Sequence, residues 1–90
     1  MAKAAFSFLN ISMHFVYILR CSNGEYYKGC TSNLDERLNR HQNGWVDATK
    51  DLLPVQLVSY TAFIDKYKAY EFEKYLKSGS GRAFLKKHFV

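Results

Sequence analysis

Glu73 is a carboxylate in a segment whose pattern otherwise predicts an apolar surface. Residues 66–77 are typical of an amphipathic helix, with an apolar stripe at helical spacing made of Ala69, Phe72 and Leu76. Glu73 falls inside this stripe, where an ionised carboxylate is costly unless it is paired, hydrogen-bonded or bound to a metal. Glu73 is therefore either a ligand for a cation such as Mg²⁺ or a group held by Arg37 or a tyrosine hydroxyl.

Arg37 and His41 are four residues apart in a second predicted helix, so they lie on one face of it. Leu34 and Leu38 supply the buried side of the same helix. Arg37 is then expected near the helix–sheet boundary, where a guanidinium can fork onto a phosphate. The alternative is a solvated charge without a ligand.

Tyr17 and Tyr27 stand in the two arms of a predicted β-hairpin. A two-residue turn at 23–24 would point the two side chains to opposite faces of the sheet. A three-residue loop at 22–24 would pair Tyr17 with Gly29, place both hydroxyls on one face and leave open space beside Gly29 for a ligand. The residues alone do not choose between these turns. Tyrosines are also common in strands, so the alternative is a structural role.

The elements that must position these residues follow from hydrophobic patterning and turn signals. In chain order the sequence predicts strands at 14–20 and 26–31, a helix at 34–42 capped by Asn33, a strand from Pro54 to about residue 60, a helix at 66–77 capped by Asp65, and a final helix at about 81–88 capped by Ser80. Residues 45–53 have no clean period and are predicted to be a loop. The order β-β-α-β-α-α predicts one α+β domain over residues 14–90.

The composition bounds the class of protein. A chain of 90 residues with 48% hydrophobic and 17% aromatic residues supports one folded domain and excludes a disordered segment. No apolar run approaches the ~20 residues that span a bilayer. Residues 1–13 are expected to be an N-terminal extension before a second in-frame start at Met13, in preference to a cleaved signal peptide.

Cysteine content and charge indicate the compartment and the partner. Cys21 and Cys30 do not make a disulfide framework or a zinc spacing, so free thiols in a reducing, cytoplasmic compartment are expected. The net charge is +5, and no acidic side chain follows Glu73. The basic residues of that last segment are Lys74, Lys77, Arg82, Lys86 and Lys87. Such an end suits a polyanion, although it could serve solubility alone.

Taken in order, these segments resemble the GIY-YIG nuclease superfamily, especially its small standalone members and the catalytic domain of the bacterial excision-repair incision subunit. The segments that carry the resemblance are Phe15-Val16-Tyr17-Ile18-Leu19, Tyr27-Lys28-Gly29-Cys30-Thr31, Leu34-Asp35-Glu36-Arg37-Leu38 with His41, and Ala69 with Glu73 and Leu76-Lys77. The resemblance covers residues 14–77. The joined pattern is specific, whereas each fragment alone is weak.

The resemblance implies a small three-stranded antiparallel sheet flanked by helices, and a metal-dependent endonuclease that hydrolyses DNA phosphodiester bonds in repair or processing. It implies that Tyr17 and Tyr27 are active-site hydroxyls, that Arg37 binds the scissile phosphate and that His41 lies close by. Glu73 would be the lone protein ligand of Mg²⁺ or Mn²⁺. Because both tyrosines must then face one site, the resemblance favours the three-residue loop.

The second motif departs from the family pattern at Lys28 and Cys30. The incision-subunit type carries a lysine directly after the motif glycine, and strand alternation points Lys28 away from Tyr27. The residues expected to bind the nucleic-acid substrate are Thr31, Lys28, Lys74, Lys77 and Arg82. Two other functions stay open: a catalytically weak nucleic-acid-binding module of the same fold, and a protein-interaction domain that uses aromatics such as Tyr60, Tyr67 and Tyr70.

Overall fold

The computed structural model describes residues 12–90. The elements are β1 (His14–Arg20), β2 (Tyr26–Thr31), α1 (Leu34–Gln42), β3 (Gln56–Phe63), α2 (Lys66–Leu76) and α3 (Gly79–His88). This is the predicted order, and residues 45–53 form a loop as expected. Apart from Ser12 and Met13, the predicted N-terminal extension lies outside the described residues.

The three strands form one antiparallel sheet in the order β2-β1-β3, which confirms the predicted fold class. Because β1 is central, it is buried on both faces. Tyr17 and Leu19 belong to the core on one face, and Val16 and Ile18 to the core on the other. The alternation of strand side chains therefore sends Tyr17 to one face only.

The β1–β2 hairpin uses the three-residue loop. Gly24 has a φ of +85°, a left-handed conformation that glycine adopts without strain, and the amide of Cys21 donates to the carbonyl of Glu25 at 2.8 Å. The resulting register places Tyr17 opposite Gly29 and Leu19 opposite Tyr27. Tyr17 and Tyr27 consequently share one face of the sheet, as the family resemblance required.

Helices cover the two faces unequally. On the face of Val16 and Ile18, helices α2 and α3 contribute Ala69, Leu76 and Leu85. On the Tyr17 face, α1 and the loop before β3 contribute Leu34, Leu38 and Val55. The Tyr17 face is therefore closed by one short helix and a loop, and the opposite face by two packed helices.

Two predicted boundaries were wrong. Strand β3 begins at Gln56 instead of Pro54 and continues to Phe63, because its pairing with β1 extends along the whole of that strand. Helix α3 is capped by Ser78 instead of Ser80, since the Ser78 hydroxyl accepts from the amide of Gly81 at 3.1 Å. Among residues 12–90, no helix has the length and apolar character needed to cross a bilayer.

Candidate active site

The hydroxyl of Tyr17, on β1, contacts two side chains of helix α1. It lies 2.8 Å from Nε2 of His41 and accepts a hydrogen bond from Nε of Arg37 at 3.3 Å. Tyr17 and His41 are both 0% exposed, and Arg37 is half-buried at the rim. The predicted cluster of tyrosine, arginine and histidine therefore exists as one hydrogen-bonded group.

Helix α1 brings Arg37 and His41 to this hydroxyl because its start is fixed. The side chain of Asn33 accepts from the amide of Glu36 at 3.2 Å, which is the predicted N-cap. The hydroxyl of Thr31 accepts from the amide of Asn33, so the turn from β2 into the helix is also held. One helical turn separates Arg37 from His41, and the two side chains reach β1 together.

Burial and the neighbouring charges set the protonation of this group. Burial raises the pKa of Tyr17 to about 12, and the hydrogen bond from Arg37 only partly opposes this. The hydroxyl is therefore protonated at neutral pH. The hydrogen bond to Tyr17 in turn raises the pKa of Arg37, with a smaller contribution from Tyr27. The guanidinium is therefore protonated at neutral pH.

His41 is a neutral imidazole. Burial, together with the positive charge of Arg37, lowers its pKa to about 4. Its second ring nitrogen, Nδ1, lies 2.7 Å from the hydroxyl of Thr49, a residue that is also 0% exposed. A chain of hydrogen bonds thus runs from Thr49 through His41 to Tyr17 and Arg37.

Thr49 is the site residue that the sequence does not reveal. It lies in the loop at 45–53, where no periodicity distinguishes one residue from another. A single threonine in such a segment carries no signal of burial. The relevant signal is spatial, since only the folded loop brings the Thr49 hydroxyl to the imidazole of His41.

Tyr27 borders the buried group from β2. Its ring centroid is 6.2 Å from that of Tyr17 and 5.2 Å from that of His41. Tyr27 is half-buried, whereas Tyr17 has no exposed surface. Of the two predicted active-site hydroxyls, that of Tyr27 therefore belongs to the residue with access to solvent.

The expectation of open space beside Gly29 was wrong. A Cβ atom at Gly29 would overlap the Cζ and hydroxyl oxygen of Tyr17. The missing side chain of Gly29 thus makes room for the Tyr17 ring itself. Any ligand must approach from another direction.

Glu73 lies on α2, between the buried residues Ala69 and Leu76, with 22% of its side chain exposed. The prediction that Arg37 or a tyrosine holds it was wrong. Its Oε2 accepts from Nζ of Lys77 at 3.0 Å, because residues four apart on a helix are neighbours. Its negative charge still acts on Tyr17. Burial is the main cause of the raised pKa of Tyr17, and the charges of Tyr27 and Glu73 make smaller contributions in the same direction.

The donor set around Glu73 fits Mg²⁺ or Mn²⁺ better than zinc. Within the described part of the chain, no three His, Cys, Asp or Glu side chains lie close enough together to hold a metal. A structural zinc ion needs four such ligands. Mg²⁺ is instead often held by one carboxylate, with water and substrate phosphate completing its shell, and the partly exposed Glu73 suits that role.

The residues expected to bind substrate do not join the Tyr17 cluster. Thr31 caps the turn before α1, and Lys74 is exposed on α2. Lys77 is paired with Glu73. Lys28 and Arg82 line a separate groove between β2 and α3, on the face away from Tyr17.

Comparison with known proteins identifies the family of this chain. The GIY-YIG catalytic domain family matches residues 13–87. A UPF0213 protein of Clostridium perfringens is 39% identical over 66 residues, which cover 72% of this chain and 71% of the relative. A UPF0213 protein of Staphylococcus saprophyticus is 35% identical over 74 residues, which cover 81% of this chain and 90% of the relative.

A solved structure also matches. The solution NMR structure of a UPF0213 protein from Bacillus halodurans superimposes with a TM-score of 0.55 at 33% identity, and the match covers 83% of each chain. The matched family range contains every residue of the Tyr17 cluster and Glu73. The chain therefore belongs to the GIY-YIG family, alongside small UPF0213 proteins.

Proposed function

We propose that this protein is a divalent-metal-dependent endonuclease that hydrolyses DNA phosphodiester bonds in DNA repair or processing. The observation that carries the proposal is the convergence of Arg37 and His41 on the Tyr17 hydroxyl. Family membership gives the reaction class independent support. The partly exposed Glu73 and the tyrosines on one face are both compatible with a working site.

Arg37 is proposed to bind the scissile phosphate. Its Nε is committed to Tyr17, which fixes the plane of the guanidinium. The remaining N–H donors of an arginine fork match phosphate oxygens, and they would stabilise the negative charge that grows during hydrolysis. The hydrogen-bonded chain of Tyr17, His41 and Thr49 positions this guanidinium, and the hydrogen bond to Tyr17 favours its protonated form.

Tyr27 is proposed to accept or relay the proton of the attacking water. Tyr17 is unsuited to that step because it is fully buried and its pKa is raised to about 12. A tyrosine with the reference pKa of ~10 is a poor base at neutral pH, so nearby positive charge must help. Arg37, whose pKa Tyr27 helps to raise, is a source of that charge on this face.

Glu73 is proposed to hold Mg²⁺ or Mn²⁺, and Lys77 would then release its carboxylate. A metal bound there supplies Lewis-acid stabilisation of the phosphoryl and leaving oxygens. We also propose a cytoplasmic location, because Cys21 and Cys30 are free thiols.

A nicking assay on Glu73→Gln and Glu73→Ala, with magnesium and with single-stranded, duplex and branched DNA and an RNA control, tests the proposal. Glu71→Gln is the matched control, since Glu71 is an exposed carboxylate two residues away on α2. We expect cleavage by the wild type and by Glu71→Gln only. Undiminished cleavage by a folded Glu73→Gln variant would reject the assignment.

The second candidate is a nucleic-acid-binding module that cleaves weakly or not at all. The pairing of Lys77 with Glu73 and the complete burial of the Tyr17 hydroxyl favour it. It predicts DNA binding by the wild type with no magnesium- or manganese-dependent cleavage at any metal concentration.

A further inference from the structure

A groove with cationic walls lies on the face of the sheet opposite the Tyr17 cluster. It encloses about 530 Å³ between β2 and α3, and its charged lining residues are the cations Lys28, Arg82 and Lys86 and the carboxylate Glu25. Tyr26, Leu85 and Val90 form apolar surface between these charges. The groove is therefore amphipathic and has an excess of positive charge, three cations against one carboxylate.

The cations of the groove repel one another, and none of them forms an ion pair with a described residue. Across residues 12–90, no carboxylate lies within ion-pair distance of Lys28, Arg82 or Lys86, although the carboxylate of Glu25 also lines the groove. Lys28 is half-buried; burial lowers its pKa, and the charges of Arg82 and Lys77 lower it further. Holding like charges around a partly desolvated lysine costs folding free energy, and an anion in the groove would remove that cost.

Lys77 links the groove to the proposed active site. Its ammonium lies 3.0 Å from Oε2 of Glu73, and its charge also acts on Lys28. Arg82 and Lys86 then continue along α3, one helical turn apart and about 6 Å along the helix axis. Lys77 on α2 thus lies between the carboxylate of Glu73 and the cations of the groove, all on the face covered by α2 and α3.

We propose that this groove binds the sugar–phosphate backbone of the nucleic-acid strand that flanks the cleavage site. The inference rests on the proposed function for the identity of the polyanion. Three cations spread along one groove suit a chain of phosphates, each of which needs a positive neighbour, better than they suit a single small anion. The apolar floor gives the sugars a surface without competing hydrogen bonds. Lys28, Arg82 and Lys86 are therefore binding residues remote from the reacting atoms.

The test measures binding without chemistry. Fluorescence anisotropy of a labelled DNA duplex is recorded in EDTA over a range of KCl concentrations. The groove variant is Lys28→Gln/Arg82→Gln/Lys86→Gln. The control Lys66→Gln/Lys68→Gln/Lys87→Gln removes the same number of charges from exposed positions outside the groove. Each phosphate contact contributes about 0.9 to the slope of log K against log salt, so the groove variant should lose between two and three units of slope. The control should keep the wild-type slope.

The outcomes separate this inference from the proposed function. Equal slopes for the wild type and the groove variant, with cleavage retained, would overturn the role of the groove in binding. The proposed nuclease function would then still stand. A wild type that neither binds nor cleaves DNA would overturn the proposed function. Groove-dependent binding to anionic lipid vesicles, with no DNA binding, would replace the nucleic acid by a membrane surface and overturn this inference.

Discussion

The hydroxyl and Cζ of Tyr17 occupy the place where any side chain at Gly29 would begin. The two residues face each other across β1 and β2 in a register set by the three-residue hairpin loop. The Tyr17 ring passes close over Gly29, and its hydroxyl contacts His41 and Arg37. This position is open to the ring only because Gly29 has no Cβ. The motif glycine therefore serves the position of a neighbouring tyrosine.

Replacing Gly29 with alanine should displace the Tyr17 ring. Overpacking of this kind costs about 1–3 kcal/mol, and the displaced hydroxyl would also lose its partners on α1. Urea unfolding and the nicking assay should both show the loss. Gly79→Ala is the matched control, because nothing lies within 4 Å of a Cβ at Gly79, and its effect should stay within about 0.5 kcal/mol. Equal stability of the two variants would contradict the close packing of Tyr17 against Gly29.

Replacing Thr49 with valine should disturb His41 without changing Tyr17 or Arg37 themselves. Valine keeps the volume of threonine but leaves Nδ1 of a buried imidazole without its 2.7 Å partner, a loss of about 1–3 kcal/mol. Thr49→Ser keeps the hydroxyl and should retain the tautomer of His41. Nitrogen-15 NMR of the imidazole distinguishes the two variants, since tautomer and protonation set the ring-nitrogen shifts. Identical spectra for the valine and serine variants would show that Thr49 only fills space.

His41 should make the protein acid-sensitive. Its pKa falls from 6.5 in the unfolded chain to about 4 in the fold, so its contribution to stability is complete above pH 6.5. As the pH falls from 6.5 towards 4, His41 binds a proton in the unfolded chain but stays neutral in the folded chain. The free energy of unfolding should then drop by about 3 kcal/mol between pH 7 and pH 4.

The control for this pH dependence is His41→Gln. That variant is less stable at pH 7, but it lacks the imidazole titration and should lose less stability on acidification. Chemical denaturation at several pH values gives both curves, and the carboxylates common to both proteins cancel in the difference. Parallel curves would contradict a buried neutral His41.

Local rules predict the elements and the shared face of Arg37 and His41, because caps, turns and helical spacing depend on nearby residues. The hairpin register needed the family resemblance, since the turn residues permit two loops. The sequence indicates the partner of Glu73 but not the role of Thr49. Lys77 lies four residues after Glu73 on the same helix, so helical spacing makes the two side chains neighbours. Thr49 reaches His41 only because of how the irregular loop at 45–53 folds.

Lys77 should compete with metal for the carboxylate of Glu73. Its ammonium lies 3.0 Å from Oε2, where a metal ion would bind, but a lysine 54% exposed holds such a pair by no more than about 1 kcal/mol. Lys77→Gln should therefore tighten Mn²⁺ binding by up to about fivefold, measured by electron paramagnetic resonance of the free ion.

Lys74→Gln is the matched control for this competition, since Lys74 is an exposed lysine next to Glu73 with no ion pair among the described residues. It should change the affinity for Mn²⁺ less than Lys77→Gln does, and Glu73→Gln should abolish specific binding. Equal effects of the two lysine variants would mean that net charge alone governs the site. A larger effect of Lys77→Gln would mean that binding of metal frees this lysine. Its charge would then be available to the phosphates that continue into the groove of Lys28 and Arg82.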